Sequence, residues 1–321
     1  MSAADFYKEN TVNLICGWSP GGGFDYVSRT FASFWPDHGG GPMVVKTMTG
    51  GSGLTAQNYV YKAKPDGLTI GITNDAFLLP PVINNTPGVE YEINEFLYIG
   101  WFTGSPSHVL GISTKLPYTS MADLQKVKGI KFGSQLPDDT LTYGEAIVAE
   151  WFNLEDCTII TGWKGMADAA LAAGKGEIDG VINNAASYRE YVDRGWVKEP
   201  VITVDFQRDE AYYPNTPAIG ELVELTPERK ALLDAYISTR GSGKTFFTSP
   251  GVPKDRLEFL RDAFWKMYTE DKGAQKQLSL RFESLYPGLT GDETATKIRD
   301  KIGPMSQAQA LFEPLINKYA K

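Results

Sequence analysis

The segment VNLICGWSPGGGFD, residues Val12–Asp25, places an apolar run directly before a proline, three glycines and an aspartate. The apolar run predicts a buried strand, and the stretch from Asp25 to Trp35 predicts a helix. A strand that feeds a glycine turn and then a helix N-terminus leaves several backbone N–H groups pointing at one spot. Such a spot favours negative charge, so the sequence predicts an anion-binding site in this loop.

Composition and charge narrow the class of protein. The chain has 321 residues, 42% hydrophobic and 22% charged, which is typical of a globular protein too long for one core, so two lobes are expected. The formal net charge of −8 argues against nucleic-acid binding, which needs basic patches. No apolar run is long enough to span a bilayer.

A few residue types and the N-terminus carry further expectations. Cys16 and Cys157 lie far apart in sequence and are expected to be buried free thiols. With His38 and His108 as the two histidines, no metal site is expected. Residues 1–10 lack the basic start and apolar stretch of a signal peptide, which leaves either a cytoplasmic protein or a mature form with its signal removed.

Strand-like and helix-like segments alternate along the chain, which predicts an α/β fold with mainly parallel sheets. A second cycle of strand, polar turn and helix begins at Ile130 and resembles the first, so two similar halves are predicted. The last third is more helical, and its helix Glu293–Ile302 is expected to stop at Gly303-Pro304.

Two phosphate-binding patterns are incomplete. Gly241–Thr245 reads GSGKT, like the end of a P-loop, but Ser238 stands where the pattern needs its first glycine. In the first loop Gly21 and Gly23 fit a dinucleotide fingerprint, but Tyr26 occupies the third glycine position. No catalytic motif of recognisable spacing occurs, so the motifs support neither a nucleotide cofactor nor an enzyme.

Three glycine-bearing segments carry a resemblance to a known family. They are Trp18–Asp25 (WSPGGGFD), Pro42–Gly53 (PMVVKTMTGGSG) and Lys64–Thr69 (KPDGLT). Their order and spacing resemble those of the solute-binding proteins of tripartite tricarboxylate transporters, also called the Bug family. Further matches in the same order are Trp163–Gly165, Gly174–Ile182, Asn215–Glu221 and Ser249–Pro253, so the resemblance covers nearly the whole chain.

The resemblance implies a two-lobe periplasmic-binding-protein fold, type II-like, with the ligand in the interlobe cleft. Each lobe would be a mainly parallel sheet flanked by helices, lobe 1 at residues 1–104 plus 216–321 and lobe 2 at residues 105–215. The implied function is capture of an organic carboxylate and its delivery to membrane permease subunits. A periplasmic monomer in mature form is expected, with no cofactor, metal, nucleic-acid partner or catalysis.

The resemblance and the predicted strand ends together suggest which residues bind the ligand. In lobe 1 they are Trp18, Ser19, Gly21, Gly22, Gly23, Phe24, Asp25, Gly53, Thr73 and Asn74. In lobe 2 they are Ser134, Gln135, Leu136, Thr140, Trp163, Asn183 and Asn184, which follow predicted strands, where ligands of α/β sheets bind. The alternative is that these glycine, serine and asparagine residues only form turns.

Aromatic residues raise the question of ligand size. Phe24 stands where the family has a small residue, and Trp163 where it has tyrosine. If these rings reach the ligand with Trp18 and Phe77, a bulky or aromatic carboxylate is expected. The alternative is that the rings pack in the core, as most large aromatic side chains do.

Two other functions stay open. The first is a protein of the same fold that presents its ligand to a sensor. The second is an α/β enzyme that acts on a carboxylate. An enzyme needs a positioned base or nucleophile in the cleft, and the sequence shows none. Asp25 is the one acidic residue of the loop and is expected to cap the helix.

Overall fold

The computed structural model describes residues 1–102, 107–241, 243–282, 285 and 287–321. Its strands are β1 Val12–Cys16, β2 Met43–Thr47, β3 Thr69–Thr73, β4 Leu97–Phe102, β5 His108–Ile112, β6 Lys131–Gly133, β7 Thr158–Ile160, β8 Gly180–Asn184, β9 Ile202–Thr203, β10 Lys244–Thr248 and β11 Leu289–Thr290. Its helices are α1 Ala3–Glu9, α2 Gly23–Gly39, α3 Leu54–Tyr61, α4 Asp75–Ile83, α5 Met121–Leu124, α6 Thr140–Trp151, α7 Met166–Lys175, α8 Ala185–Asp193, α9 Ile219–Leu222, α10 Pro227–Thr239, α11 Lys254–Thr269, α12 Lys272–Ser279 and α13 Gly291–Tyr319. The predicted α/β fold class is confirmed.

The chain divides into two compact units. Unit 1 comprises Met1–Gly104 and Gly241–Ile302, and unit 2 comprises Ser105–Arg240 and Gly303–Lys321. The sequence places the return to lobe 1 at residue 216, whereas residues 216–240 and 303–321 belong to unit 2. Backbone pairing holds them there: Thr203 N donates to Pro217 O over 2.8 Å, and Lys321 N donates to Ile159 O over 2.9 Å.

Unit 1 is built on one mixed sheet. Over the described residues its strand order is β11-β4-β10-β3-β1-β2. β1 is parallel to β2 and β3, and β10 lies antiparallel between β3 and β4. β1 to β4 therefore share one direction, while β10 and β11 run the other way. Phe31 of α2, Phe246 of β10 and Phe264 of α11 pack their rings together in the core, with centroids 4.7 to 5.2 Å apart.

Unit 2 has a second sheet of similar design. Its strand order in the described residues is β7-β6-β8-β5-β9. β6 is parallel to β7 and β8, and β5 is antiparallel to β8 and β9. In both units, neighbouring parallel strands bring their carboxyl ends to one edge of the sheet, and this edge is where the predicted binding loops lie.

The C-terminal helix is longer than the sequence predicts. α13 continues through Gly303-Pro304 to Tyr319, because Met305, Ala308 and Phe312 lie on one buried apolar stripe. A proline inside a helix costs about 3 kcal/mol, whereas each large apolar side chain gains roughly 1.5–3 kcal/mol on burial. Burial therefore outweighs the lost hydrogen bond. Neither α13 nor any other helix in the described ranges is long and apolar enough to cross a membrane.

Candidate functional site

Three helices of unit 1 begin at the same edge of its sheet. β3, β1 and β2 are parallel neighbours, and they are followed by α4, α2 and α3 respectively. The residues at the three N-caps are Asn74, Gly22 and Gly53, and none of them caps its helix with a side-chain hydrogen bond. All three helix ends lie at one edge without side-chain caps. At α3 the N–H groups of Leu54 and Thr55 already donate to Gly51 O and Gly50 O, so the starts of α2 and α4 are the ends that favour an anion.

The first turn of α2 presents backbone N–H groups. Regular helical bonding starts at Tyr26, whose N–H donates to Gly22 O over 2.9 Å. The N–H groups of Gly23, Phe24 and Asp25 precede that bond in the helix. These are the groups that the sequence predicts as the carboxylate contact.

Asp25 fixes the glycine turn to the helix. Gly21 has a φ of +83°, a conformation that favours glycine, and its N–H donates to Asp25 Oδ2 over 3.0 Å. The same oxygen accepts a hydrogen bond of 2.9 Å from Arg29 Nε. The turn is closed further by Gly22 N, which donates to Ser19 O over 3.3 Å. The Asp25 carboxylate is thus paired and structural rather than placed as a base.

The loops after β1 and β2 touch each other. A Cβ on Gly17 would lie 2.9 Å from Gly53 Cα, so the two backbones approach as only glycine allows. Gly53 has a φ of +96°, and a Cβ there would lie 2.9 Å from Trp18 Cζ2. Gln57 Nε2 donates to Thr73 Oγ1 over 3.0 Å, which links α3 to the end of β3. The structure therefore brings Trp18, Gly53 and Thr73 together.

The aromatic residues of unit 1 pack on one another. Trp18 and Phe24 are stacked with centroids 3.8 Å apart, and Phe77 lies 5.4 Å from Trp18. Lys244 Nζ lies 4.3 Å from the centroid of Phe24. Trp18 already covers one face of Phe24, so the lysine must lie over the other. Neither face is free for a ligand ring, which favours the packing alternative for this residue.

Two cations at this edge are not predicted by the sequence. Lys244 begins β10 and is 3% exposed, and Thr245 beside it pairs with Thr73 at the end of β3. Arg281 follows α12, and its Nη1 donates to Gly21 O over 3.2 Å. Burial, and secondly the positive charge of Arg281, lower the pKa of Lys244 to about 7. The sequence offers one signal for Lys244, which is its place in the incomplete P-loop pattern GSGKT. Ser242 of that pattern lies outside the described residues.

Most of the polar groups in the loop that follows β6 find partners within unit 2. Asp139 caps α6 through a 2.8 Å bond from Thr142 N, and it also accepts bonds from Leu136 N (3.0 Å) and Ser134 Oγ (3.1 Å). Thr140 Oγ1 donates to Thr239 O over 2.9 Å. Burial raises the pKa of the Asp139 carboxyl, although these hydrogen bonds oppose that effect. These contacts support the turn-forming alternative for this loop.

The remaining predicted residues of unit 2 lie at the ends of β6, β7 and β8. Asn184 caps α8 by accepting a 2.9 Å bond from Ser187 N, and Asn183 Nδ2 donates to Tyr191 Oη over 2.9 Å. Trp163 Nε1 donates to Ile160 O over 3.2 Å. Gln135 differs, because its buried Nε2 finds no acceptor within the described part of the chain. It is the strongest ligand-binding candidate of this set.

Comparison with known proteins identifies the fold. No family model matches the sequence, and no curated protein matches it. Solved structures do match: the periplasmic binding protein BugD has 18% identity, a TM-score of 0.74, and coverage of 97% of this chain and 99% of its own. MatC from Rhodopseudomonas palustris, solved with bound malate, has 16% identity, a TM-score of 0.74, and coverage of 93% and 98%.

A further R. palustris protein, solved with adipate, has 19% identity, a TM-score of 0.74, and coverage of 97% of this chain and 98% of its own. These likenesses extend over nearly the full length of both chains. The chain therefore has the fold of these periplasmic binding proteins, and the fold that the sequence resemblance implied is confirmed.

Proposed function

We propose that the chain, which has this periplasmic-binding-protein fold, is a solute-binding protein that captures an organic carboxylate in the periplasm and delivers it to the permease subunits of a tripartite tricarboxylate transporter. The observation that carries the proposal is the edge of unit 1. The N-termini of α2 and α4, which have no side-chain caps, lie there beside the buried Lys244. The malate and adipate named for two structures of this fold agree with an organic acid as the ligand.

The free energies of the hydrogen bonds at this edge show how much of the binding free energy the edge can supply. A charge-assisted hydrogen bond contributes about 1.5–3 kcal/mol, so two amides and one ammonium give roughly 5–9 kcal/mol before association costs of at least about 4 kcal/mol. Micromolar affinity needs about −8 kcal/mol. Additional contacts are therefore required. The interlobe closure and the unit 2 residues stay predictions for that role.

Two reactive side chains at this edge, Asp25 and Cys16, do not support an enzyme. Asp25 is held by Gly21 and Arg29, and burial raises the pKa of the Cys16 thiol to about 11, so neither group is a ready base or nucleophile. Within the described ranges, no cluster of acidic, histidine and cysteine side chains could hold a metal ion. The proposal is therefore capture without turnover, and the monomeric state stays a prediction.

The test is a thermal-shift panel of malate, succinate, adipate, citrate and benzoate, with phosphate and sulfate as controls. A ligand at about 100 times its Kd should stabilise the protein by roughly 2.7 kcal/mol. The acid should then be recovered unchanged by mass spectrometry. Selective stabilisation by phosphate, stabilisation by no carboxylate, or conversion of the acid would contradict the proposal.

Transport and sensing are separated in the source cells. Deleting the gene should abolish uptake of the labelled acid, and restoring it should recover uptake. Unchanged uptake with a lost transcriptional response to the acid would instead support a sensor-presenting protein of the same fold.

A further inference from the structure

Lys244 is a buried cation without a counter-charge. The residue is 3% exposed, and across the described residues its Nζ forms no hydrogen bond or ion pair. A buried ammonium normally pairs with a carboxylate, because removing an unpaired charge from water is strongly unfavourable. The cation–π contact with Phe24 replaces only part of that lost hydration. The protonated form of Lys244 would therefore gain from an anionic partner supplied from outside the chain.

The amine lies against the side chain of a residue in the first turn of α2. Nζ is 4.3 Å from the ring centroid of Phe24, the second residue of α2, whose backbone N–H is one of the first-turn groups expected to face the ligand's negative charge. A positive helix end and an ammonium repel each other. An anion between them would interact favourably with both.

Few charged groups surround Lys244, and among them Lys244 is the one whose protonation can change when a ligand binds. Arg281 repels it, while the Cys16 thiol of β1 has a small opposing effect. On α2, Asp25 is engaged by Gly21 N and Arg29 Nε. The strands that flank β10 contribute uncharged residues beside Lys244, namely Phe102 in register and Thr73 next to it.

We propose that Lys244 Nζ donates directly to a carboxylate oxygen of the ligand, and that capture of the ligand takes up one proton from solvent at this amine. The inference rests on the proposed function. The neutral amine gains a proton and becomes an ammonium, which pairs with the carboxylate anion, and no other bond forms or breaks. The site would thus select a carboxylate by charge and couple its affinity to pH.

The pH window follows from the state of the free protein. Because the pKa of Lys244 is about 7 without ligand and rises when an anion binds, the amine is protonated in both states below pH 7. Affinity is then independent of pH. Above pH 7 the neutral amine must take up a proton from solvent for each ligand bound. Protons become scarcer as pH rises, so Kd should rise by up to about tenfold per pH unit.

Isothermal titration calorimetry with the acid that gives the largest shift in the panel tests this. In paired buffers of different ionisation enthalpy, proton uptake should approach about one at pH 8.5 and fall close to zero at about pH 5.5. Lys244→Met should raise Kd at least about tenfold at pH 5.5 and lose the proton uptake. Lys244→Arg should keep near-normal affinity at pH 5.5 and also lose the uptake.

Lys64→Met is the matched control, because Lys64 is 85% exposed and its removal changes net charge equally. It should keep both the affinity and the proton uptake. If the acid binds but Kd does not depend on pH, or if Lys244→Met retains the uptake, the inference is overturned while the proposed function stands. If no carboxylate in the panel binds, the proposed function itself fails.

Discussion

Replacing Lys244 with methionine should stabilise the unliganded protein, and more at low pH than at high pH. The pKa of Lys244 lies near 10.5 in the unfolded chain and at about 7 in the folded protein, because burial and then Arg281 disfavour the charged form. The unfolded chain therefore binds more protons between these two values. It follows that the stability of the wild-type protein rises with pH across this window. Methionine has a similar length and carries no charge, so it removes this penalty.

The magnitude follows from the same two pKa values. At about 1.4 kcal/mol for each pH unit, the full penalty below pH 7 is about 5 kcal/mol, an upper limit because the site can relax. At pH 9 about 2 kcal/mol remains, since the unfolded lysine is still protonated. The advantage of Lys244→Met should therefore shrink by about 3 kcal/mol between pH 6 and pH 9.

Urea-induced unfolding at the two pH values measures this difference. Lys64→Met serves as the surface control and should change the free energy of unfolding by less than about 0.5 kcal/mol at either pH. Equal stabilisation by Lys244→Met at both pH values, or destabilisation at pH 6, would refute the reasoning that Lys244 is buried without a counter-charge.

The remaining predictions concern glycines. Gly53→Ala combines a φ of +96° with a Cβ 2.9 Å from the Trp18 ring, so it should displace the ring and raise the carboxylate Kd about tenfold by calorimetry; an unchanged Kd would remove Gly53 from the site. Gly111→Ala should lower the free energy of unfolding by at least about 2 kcal/mol in thermal denaturation, because its Cβ would lie 1.2 Å from Tyr188 Oη. A Cβ on Gly303, which lies inside α13, would meet no atom within 4 Å. Because alanine favours a helix interior more than glycine does, Gly303→Ala should stabilise the protein by up to about 1 kcal/mol; a loss of stability would contradict the continuous helix.

The fold was predictable because its signals are local. The run Val12–Cys16, the glycine turn and the helix from Asp25 are adjacent in sequence, and β1 and α2 form there. A helix is not predictable from local sequence where tertiary burial decides whether it forms. α4 contains Pro80 and Pro81, which argue against a helix, but its residues Phe77, Leu78 and Leu79 are buried.

The site was only partly accessible to sequence reasoning. The glycine loop has a local signature, whereas Lys244 reaches it only because β10 pairs antiparallel with β3, about 170 residues earlier in the chain. No local pattern encodes that pairing. In unit 2 the sequence pattern selected serine and asparagine residues at the ends of strands. These residue types form turns and helix caps as readily as they bind ligands, and Asn184 caps α8.

The proposed function and the role of Lys244 both require a carboxylate at the start of α2. A crystal structure of the protein with the acid selected in the panel tests this most directly. We expect carboxylate density within hydrogen-bond distance of the N–H groups of Gly23 and Phe24 and of Lys244 Nζ. A bound carboxylate whose oxygens contact none of these groups would contradict it.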